Sequence, residues 1–131
     1  MKGMTMALDC PLDWHDVLER CGQDEELVGA LVDMFLADHP QHAEALERAV
    51  VAGDAPQARS LAHMLKGSAA AIGAKSLAAA ALAVEKAAAE GNMTAAANAL
   101  ETLQDERERL QAFLAEPDWK DRIASMGVCR S

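Results

Sequence analysis

Residues 54–72, DAPQARSLAHMLKGSAAAI, decide the fold, because their apolar side chains recur at helical spacing. On a helical wheel at about 100° per residue, one side of such a helix collects the residues that a core needs. His63 lies at the opposite pole of the wheel, in the middle of the polar face. The stretch therefore predicts an amphipathic helix that buries one face and exposes His63 on the other. The residues on or beside the predicted buried face are Ala58, Leu61, Leu65, Ser68, Ala69 and Ile72.

The rest of the chain has the composition of a helical domain. Its 131 residues suit one compact domain, 51% of them are hydrophobic, and alanine and leucine dominate over aromatic residues. Prolines, glycines and capping residues divide it into a short piece at 12–20 and helices at about 24–38, 43–53, 54–72, 74–90 and 92–115. In this division Pro40 breaks the chain between two helices.

Short connections between amphipathic helices favour antiparallel neighbours. We therefore predict an all-α fold: an antiparallel up-down four-helix bundle with one or two short additional N-terminal helices. The predicted boundaries are an N-terminal extension at 1–11, the bundle at 12–116 and a C-terminal tail at 117–131. In that tail, Trp119 and Ile123 either dock on the bundle or belong to a frayed end.

The charge of the chain excludes several classes of partner. A formal net charge of −9 argues against nucleic acid and anionic membrane, which both reward lysine and arginine. No apolar run approaches the roughly 20 residues of a membrane span, and residues 1–11 lack the pattern of a signal peptide. Cys10, Cys21 and Cys129 are too widely spaced for a CxxC metal site. We expect a cytoplasmic monomer whose partners are other proteins.

The neighbours of His63 on the helix favour chemistry with a negative group. Lys66 and Gly67 lie three and four residues after it, one helical turn away, where a lysine can contact an anion on the imidazole. Glycine inside a helix costs about 0.5–1 kcal/mol relative to alanine, and close approach by another molecule is a physical reason for its presence.

Acidic residues are absent from this part of the sequence. None lies between Asp54 and Glu85, and the only charged residues in that window are Arg59, Lys66 and Lys75. Such a window suits a phosphoryl group or an acidic partner surface. A carboxylate from another helix can still fold over the window.

A metal-binding bundle is one alternative reading of the histidines. His39 and His42 are three residues apart, beside Asp38, but Pro40 lies between them and no Glu-x-x-His pair completes a di-iron pattern. We therefore expect His15, His39 and His42 to be solvated surface residues. No glycine-rich phosphate loop indicates a nucleotide site either.

Residues 62–74, AHMLKGSAAAIGA, resemble the signature of histidine phosphotransfer (HPt) domains. That signature is a histidine, then Leu-Lys-Gly, then Gly-Ala six to seven residues after the first glycine. The resemblance extends to residues 23–27, 35–38, 52–54, 84–85 and 90–92, and covers about 12–115. Ala71 departs from the polar residue that is frequent there in the family, and Met64 stands where threonine is frequent.

The resemblance implies a mechanism and a set of partners. It implies that His63 accepts a phosphoryl group from a receiver-domain aspartate and passes it to another receiver domain. Lys66 would then stabilise the phosphoryl charge and Gly67 would give the partner clearance. The chain would be a phosphocarrier and not an enzyme, with no cofactor of its own and Mg²⁺ on the partner receiver. The residues expected to contact the partner are Arg59, Ser60, Met64 and Ala70.

The partners implied are receiver domains of response regulators or of hybrid histidine kinases, with no nucleic acid and no membrane. A bundle that docks on a receiver or kinase without phosphotransfer is the alternative that stays open, since its sequence would look almost the same.

Overall fold

A computed structural model of the chain describes residues 12–116, 118, 119 and 121. That part of the chain forms α-helices and contains no strand, which confirms the predicted all-α class. The predicted extension at 1–11, Ile123 of the predicted tail, Cys10 and Cys129 lie outside the described residues. The helices are α1 (Trp14–Arg20), α2 (Glu25–Ala52), α3 (Ala55–Ala71), α4 (Lys75–Ala89) and α5 (Met93–Leu114).

The four long helices pack as the predicted bundle. α3 packs against α2 and α4, α4 packs against α5, and a contact between α2 and α5 closes the bundle. Turns of two or three residues, at 53–54, 72–74 and 90–92, make consecutive helices antiparallel. Among the residues that the structure describes, no helix combines the length and hydrophobicity of a membrane span. Each long helix contributes an almost fully buried leucine to the core. These leucines, in chain order, are Leu46, Leu65, Leu77 and Leu103.

Side-chain caps begin three of the long helices, at the first residues of the predicted ranges 24–38, 54–72 and 92–115. The carboxylate of Asp24 accepts the backbone N–H groups of Glu26 and Leu27 at the start of α2. The carboxylate of Asp54 accepts the N–H of Gln57 at 3.2 Å, and so fixes the first turn of α3. Asn92 has the same role at the start of α5. The helix that carries His63 therefore begins where its sequence indicates.

The predicted helix break at Pro40 is wrong. Pro40 lies inside α2, which is one helix of 28 residues. The proline is exposed, so its ring lies on the solvent side, and its missing N–H removes a single hydrogen bond from the helix. Phe35 before it and Ala43 and Leu46 after it lie on one buried face. Burial of that continuous face outweighs the local preference of proline for a helix end.

α1 is fastened to the turn between α3 and α4. The N–H of Asp13 donates to the carbonyl of Gly73 at 2.7 Å, and Lys75 Nζ lies 3.0 Å from an Asp13 carboxylate oxygen. Gly73 has a φ of +74°, and a Cβ there would lie 2.9 Å from the Asp13 carbonyl oxygen. Trp14 of α1 meets the buried Trp119 edge to face, with ring centroids 5.7 Å apart. The contacts of Asp13 therefore fix the turn that directly follows α3.

Candidate functional site

His63 projects from the exposed face of α3, as the helical wheel predicts. Its side chain is 63% exposed. The opposite face lies in the core, although Ser68, which the wheel places on the core side, is only half-buried. The buried residues of α3 are Ala58, Leu61, Ala62, Leu65 and Ala69.

A carboxylate from α4 contacts His63, a possibility that the sequence left open without indicating which residue supplies the carboxylate. α4 packs against α3, and Glu85 on α4 places one carboxylate oxygen 3.0 Å from His63 Nδ1 and the other 2.9 Å from Lys66 Nζ. The window without acidic residues therefore does not keep carboxylates away from His63 in space. Val84, next to Glu85, is fully buried and anchors this part of α4.

The charge state of Glu85 determines which nitrogen of the His63 imidazole carries the proton. The hydrogen bond from Lys66 lowers the pKa of the Glu85 carboxyl, and the hydrogen bond with His63 lowers it further, while partial burial opposes both. Glu85 is therefore a carboxylate at neutral pH, and a carboxylate only accepts hydrogen bonds. His63 Nδ1 must then donate, so it carries the ring proton. In the neutral imidazole, Nε2 is left with the free electron pair, which is the nucleophilic one.

The side chain of Lys66 is partly covered by α4 and paired with a carboxylate. Its side chain is 31% exposed, because its ammonium group lies against Glu85, whose own side chain is 16% exposed. The helical wheel places Lys66 on the polar face with His63 and so predicts an exposed side chain, whereas the structure shows it half-covered at the edge of the α3–α4 contact. Lys66 and His63 thus share one carboxylate.

An open cavity of about 430 Å³ surrounds the exposed side of the imidazole. Three of the four residues predicted to contact a partner share it with His63, and these are Arg59, Ser60 and Met64. Met64 is 44% exposed and contributes apolar surface to the cavity. Ala70, the fourth, is exposed but does not line the cavity. The complete lining is Pro56, Arg59, Ser60, His63, Met64 and Glu85.

Gly67 leaves the surface beside His63 open. It is an exposed residue inside α3, and a Cβ built on it would meet no atom within 4 Å. Packing among the described residues therefore does not require glycine at this position. Because residue 67 has no side chain, the helix surface one turn after His63 leaves room for another molecule to approach closely.

His39 is buried, which corrects the prediction that it is a solvated surface residue. Its side chain is 1% exposed, its ring stacks on Phe35 with centroids 4.6 Å apart, and its Nδ1 accepts a hydrogen bond from Arg107 Nε at 3.2 Å. Burial, and then the positive charge of Arg107, lower the pKa of His39 to about 4. His39 takes a core position because it lies one turn after Phe35 on the buried face of α2.

The other histidines differ in exposure. His15 is exposed and His42 is half-buried. In the part of the chain that the structure describes, no three histidine, cysteine, aspartate or glutamate side chains are grouped to hold a metal ion.

Comparison with known protein families gives a match. Residues 30–113, more than half of the 131 residues, match the family model described as Hpt domain. Neither the curated proteins nor the solved structures contain a match to this chain.

Proposed function

Because the chain belongs to the Hpt domain family, we propose that it is a phosphorelay intermediate in which His63 accepts a phosphoryl group from a receiver-domain aspartate. His63 then passes this group to an aspartate of another receiver domain. The protein is thus a phosphocarrier, and the family match supports a role in histidine phosphotransfer in general.

The contact between His63 Nδ1 and Glu85 is the observation that carries this proposal. With the proton held on Nδ1, the electron pair of Nε2 can attack phosphorus. The N–P bond forms as the bond from phosphorus to the aspartyl oxygen breaks, and the electrons of that bond leave with the carboxylate. The product keeps its proton on Nδ1 against Glu85, so the imidazole can later leave as a neutral group. Transfer can therefore run in both directions.

The exposure of the site explains how a partner can complete it. Phosphoryl transfer passes through a loose transition state that needs positioning and charge neutralisation more than covalent help. Lys66 contributes positive charge beside the ring, and Gly67 leaves room for the partner. We propose that the receiver domain supplies the aspartate and the Mg²⁺, and that it contacts Arg59, Ser60, Met64 and Ala70.

The proposal extends to partners and location. The receivers are those of response regulators or of hybrid histidine kinases, and the protein works as a cytoplasmic monomer. The charge of −9 supports protein partners over nucleic acid. Light scattering after size-exclusion chromatography tests the monomer against the chain mass of 13.9 kDa.

Labelling from a phosphorylated receiver tests the function. We expect the wild-type protein to take up an acid-labile, base-stable label from at least one member of a receiver panel. His63→Gln should take up none, whereas His15→Gln, which changes another exposed histidine, should be labelled normally.

Two outcomes would contradict the proposal in different ways. Label on His63→Gln would show that the acceptor is another residue. Binding of a receiver by the wild-type protein without any label would show a docking module that does not take part in phosphotransfer.

A further inference from the structure

The positive and negative charges around His63 do not balance. Its cavity and the adjoining contact hold one carboxylate, Glu85, and two cations, Lys66 and Arg59. Glu85 lies 2.9 Å from Lys66 Nζ, so these two charges largely cancel. Among the described residues, the side chain of Arg59 makes neither a hydrogen bond nor an ion pair. The net positive charge of the cluster therefore comes from Arg59.

Arg59 is also well placed along the helix. It lies four residues before His63, which is one turn away on the same face of α3. Side chains in a helix lean towards its N-terminus, so the imidazole leans over the turn that carries Arg59 and Ser60. Arg59 is exposed and lines both the cavity around His63 and a neighbouring one of about 380 Å³ at the Gly91 end of α4. Glu90 also lines the second cavity, but no ion pair joins it to Arg59 among the described residues. The Arg59 guanidinium can move between the two cavities without breaking any described contact.

We propose that Arg59 is the cation that binds the phosphoryl group on His63, while Lys66 remains paired with Glu85. This inference rests on the proposed function and refines the part that Lys66 has in it. A phosphoryl group brings about −1.5 to −2 charges at pH 7. Without Arg59 that group would face only the neutral Lys66–Glu85 pair, whose carboxylate repels it. A guanidinium also presents paired N–H donors to phosphoryl oxygens, which an ammonium cannot do.

Phosphoramidate is the probe that separates phosphoryl binding from receiver docking, because no receiver is present. Nε2 of His63 attacks its phosphorus, and the bond to nitrogen breaks with its electrons leaving on ammonia. We expect Arg59→Ala to slow this labelling about fivefold to tenfold, the effect of losing one charge-assisted contact. Arg59→Lys should recover part of the rate. Arg48→Ala is the matched control, since Arg48 is an exposed arginine on α2 that pairs with Glu44.

A spectroscopic measurement on the phosphorylated proteins tests the contact directly. The ³¹P resonance of the phosphohistidine should titrate at a higher pH in Arg59→Ala than in the wild-type protein, because a nearby cation favours the dianion. Arg48→Ala should titrate as the wild-type protein does. A purely structural role of Arg59 would not move this titration.

A double variant tests the part of the inference that concerns Lys66. Lys66→Ala should slow labelling because it frees the Glu85 charge, and adding Glu85→Gln should restore the rate of the Glu85→Gln single variant. A double variant that is clearly slower than the Glu85→Gln single variant would show that Lys66 itself binds the phosphoryl group, and would overturn the inference.

Each remaining outcome of the labelling experiments leads to a different conclusion about Arg59 or His63. If Arg59→Ala is labelled by phosphoramidate within about twofold of the wild-type rate, a difference too small for a lost ionic contact, Arg59 does not bind the phosphoryl group. If it is then slow only with receivers, Arg59 is a docking residue. If the wild-type protein takes no label on His63 from phosphoramidate or from receivers, the proposed function fails and this inference falls with it.

Discussion

Acidification should destabilise this protein through His39, a residue that has no part in the proposed chemistry. The imidazole is 1% exposed, and burial lowers its pKa from 6.5 to about 4. The fold therefore favours the neutral ring. The contribution of His39 to stability is fully present above pH 6.5, the pKa in the unfolded chain. It is lost progressively as the pH falls towards the folded-state pKa of about 4.

The size of the loss follows from those two pKa values. One pKa unit corresponds to about 1.4 kcal/mol, so the full difference between 6.5 and about 4 amounts to about 3 kcal/mol. At about pH 5, unfolded chains bind the proton readily and folded ones hardly do, and the loss is about 2 kcal/mol. A domain of ordinary stability has about 5–15 kcal/mol in total, so the change should be easy to measure.

Urea unfolding between about pH 7.5 and pH 5 is the assay, with His39→Gln as the comparison. The variant keeps an acceptor for Arg107 but has no group that titrates in this range. Its stability at neutral pH will be lower, because the stacking on Phe35 is lost, so the quantity to compare is the change with pH. All other titratable side chains are present in both proteins, so the difference between the two pH dependences reports the loss of His39. Equal pH dependence in the two proteins would refute the reasoning, because it would show that the buried ring takes up a proton without cost.

Two further predictions concern glycines. Gly67→Ala should stabilise the protein by about 0.5–1 kcal/mol, because the added Cβ would meet no described atom within 4 Å. The same variant should slow phosphoryl transfer from a receiver. An unchanged transfer rate would show that the partner does not need the clearance. Gly73→Ala should lower the free energy of unfolding by more than the roughly 1–2 kcal/mol expected from its positive φ alone, because its Cβ would also lie 2.9 Å from the Asp13 carbonyl oxygen. Gly53→Ala, with a φ of +72° and open space around it, is the control for the conformational part, and equal losses in urea unfolding would argue against the steric part.

Features that depend on neighbouring residues in the chain could be predicted from the sequence. The caps at Asp24, Asp54 and Asn92 act within one helical turn, so their residue types and positions were sufficient. The exposure of His63 follows from helical periodicity, because residues on one side of α3 must all enter the core together. These local rules were enough to predict an all-α bundle.

The same local rules failed where tertiary packing outweighed them. Pro40 has a strong preference to end a helix, but the apolar face of α2 continues on both sides of it. His39 has no preference for a core, but its place on that face buries it, and Arg107, far away in the sequence, satisfies its Nδ1. In both cases burial of many side chains outweighed the preference of one.

The sequence by itself determined that α3 is a helix and that His63 is exposed on it. It also determined that Lys66 and Gly67 lie one turn after His63. The tertiary structure alone decided which nitrogen of His63 carries the proton, because Glu85 lies 22 residues away and reaches His63 only when α4 packs against α3. It also decided that, within the part of the chain that the structure describes, the side chain of Lys66 is paired and that of Arg59 is not. Charge pairing depends on distances between helices, and helical periodicity says which face a residue occupies but not which residue of another helix lies opposite.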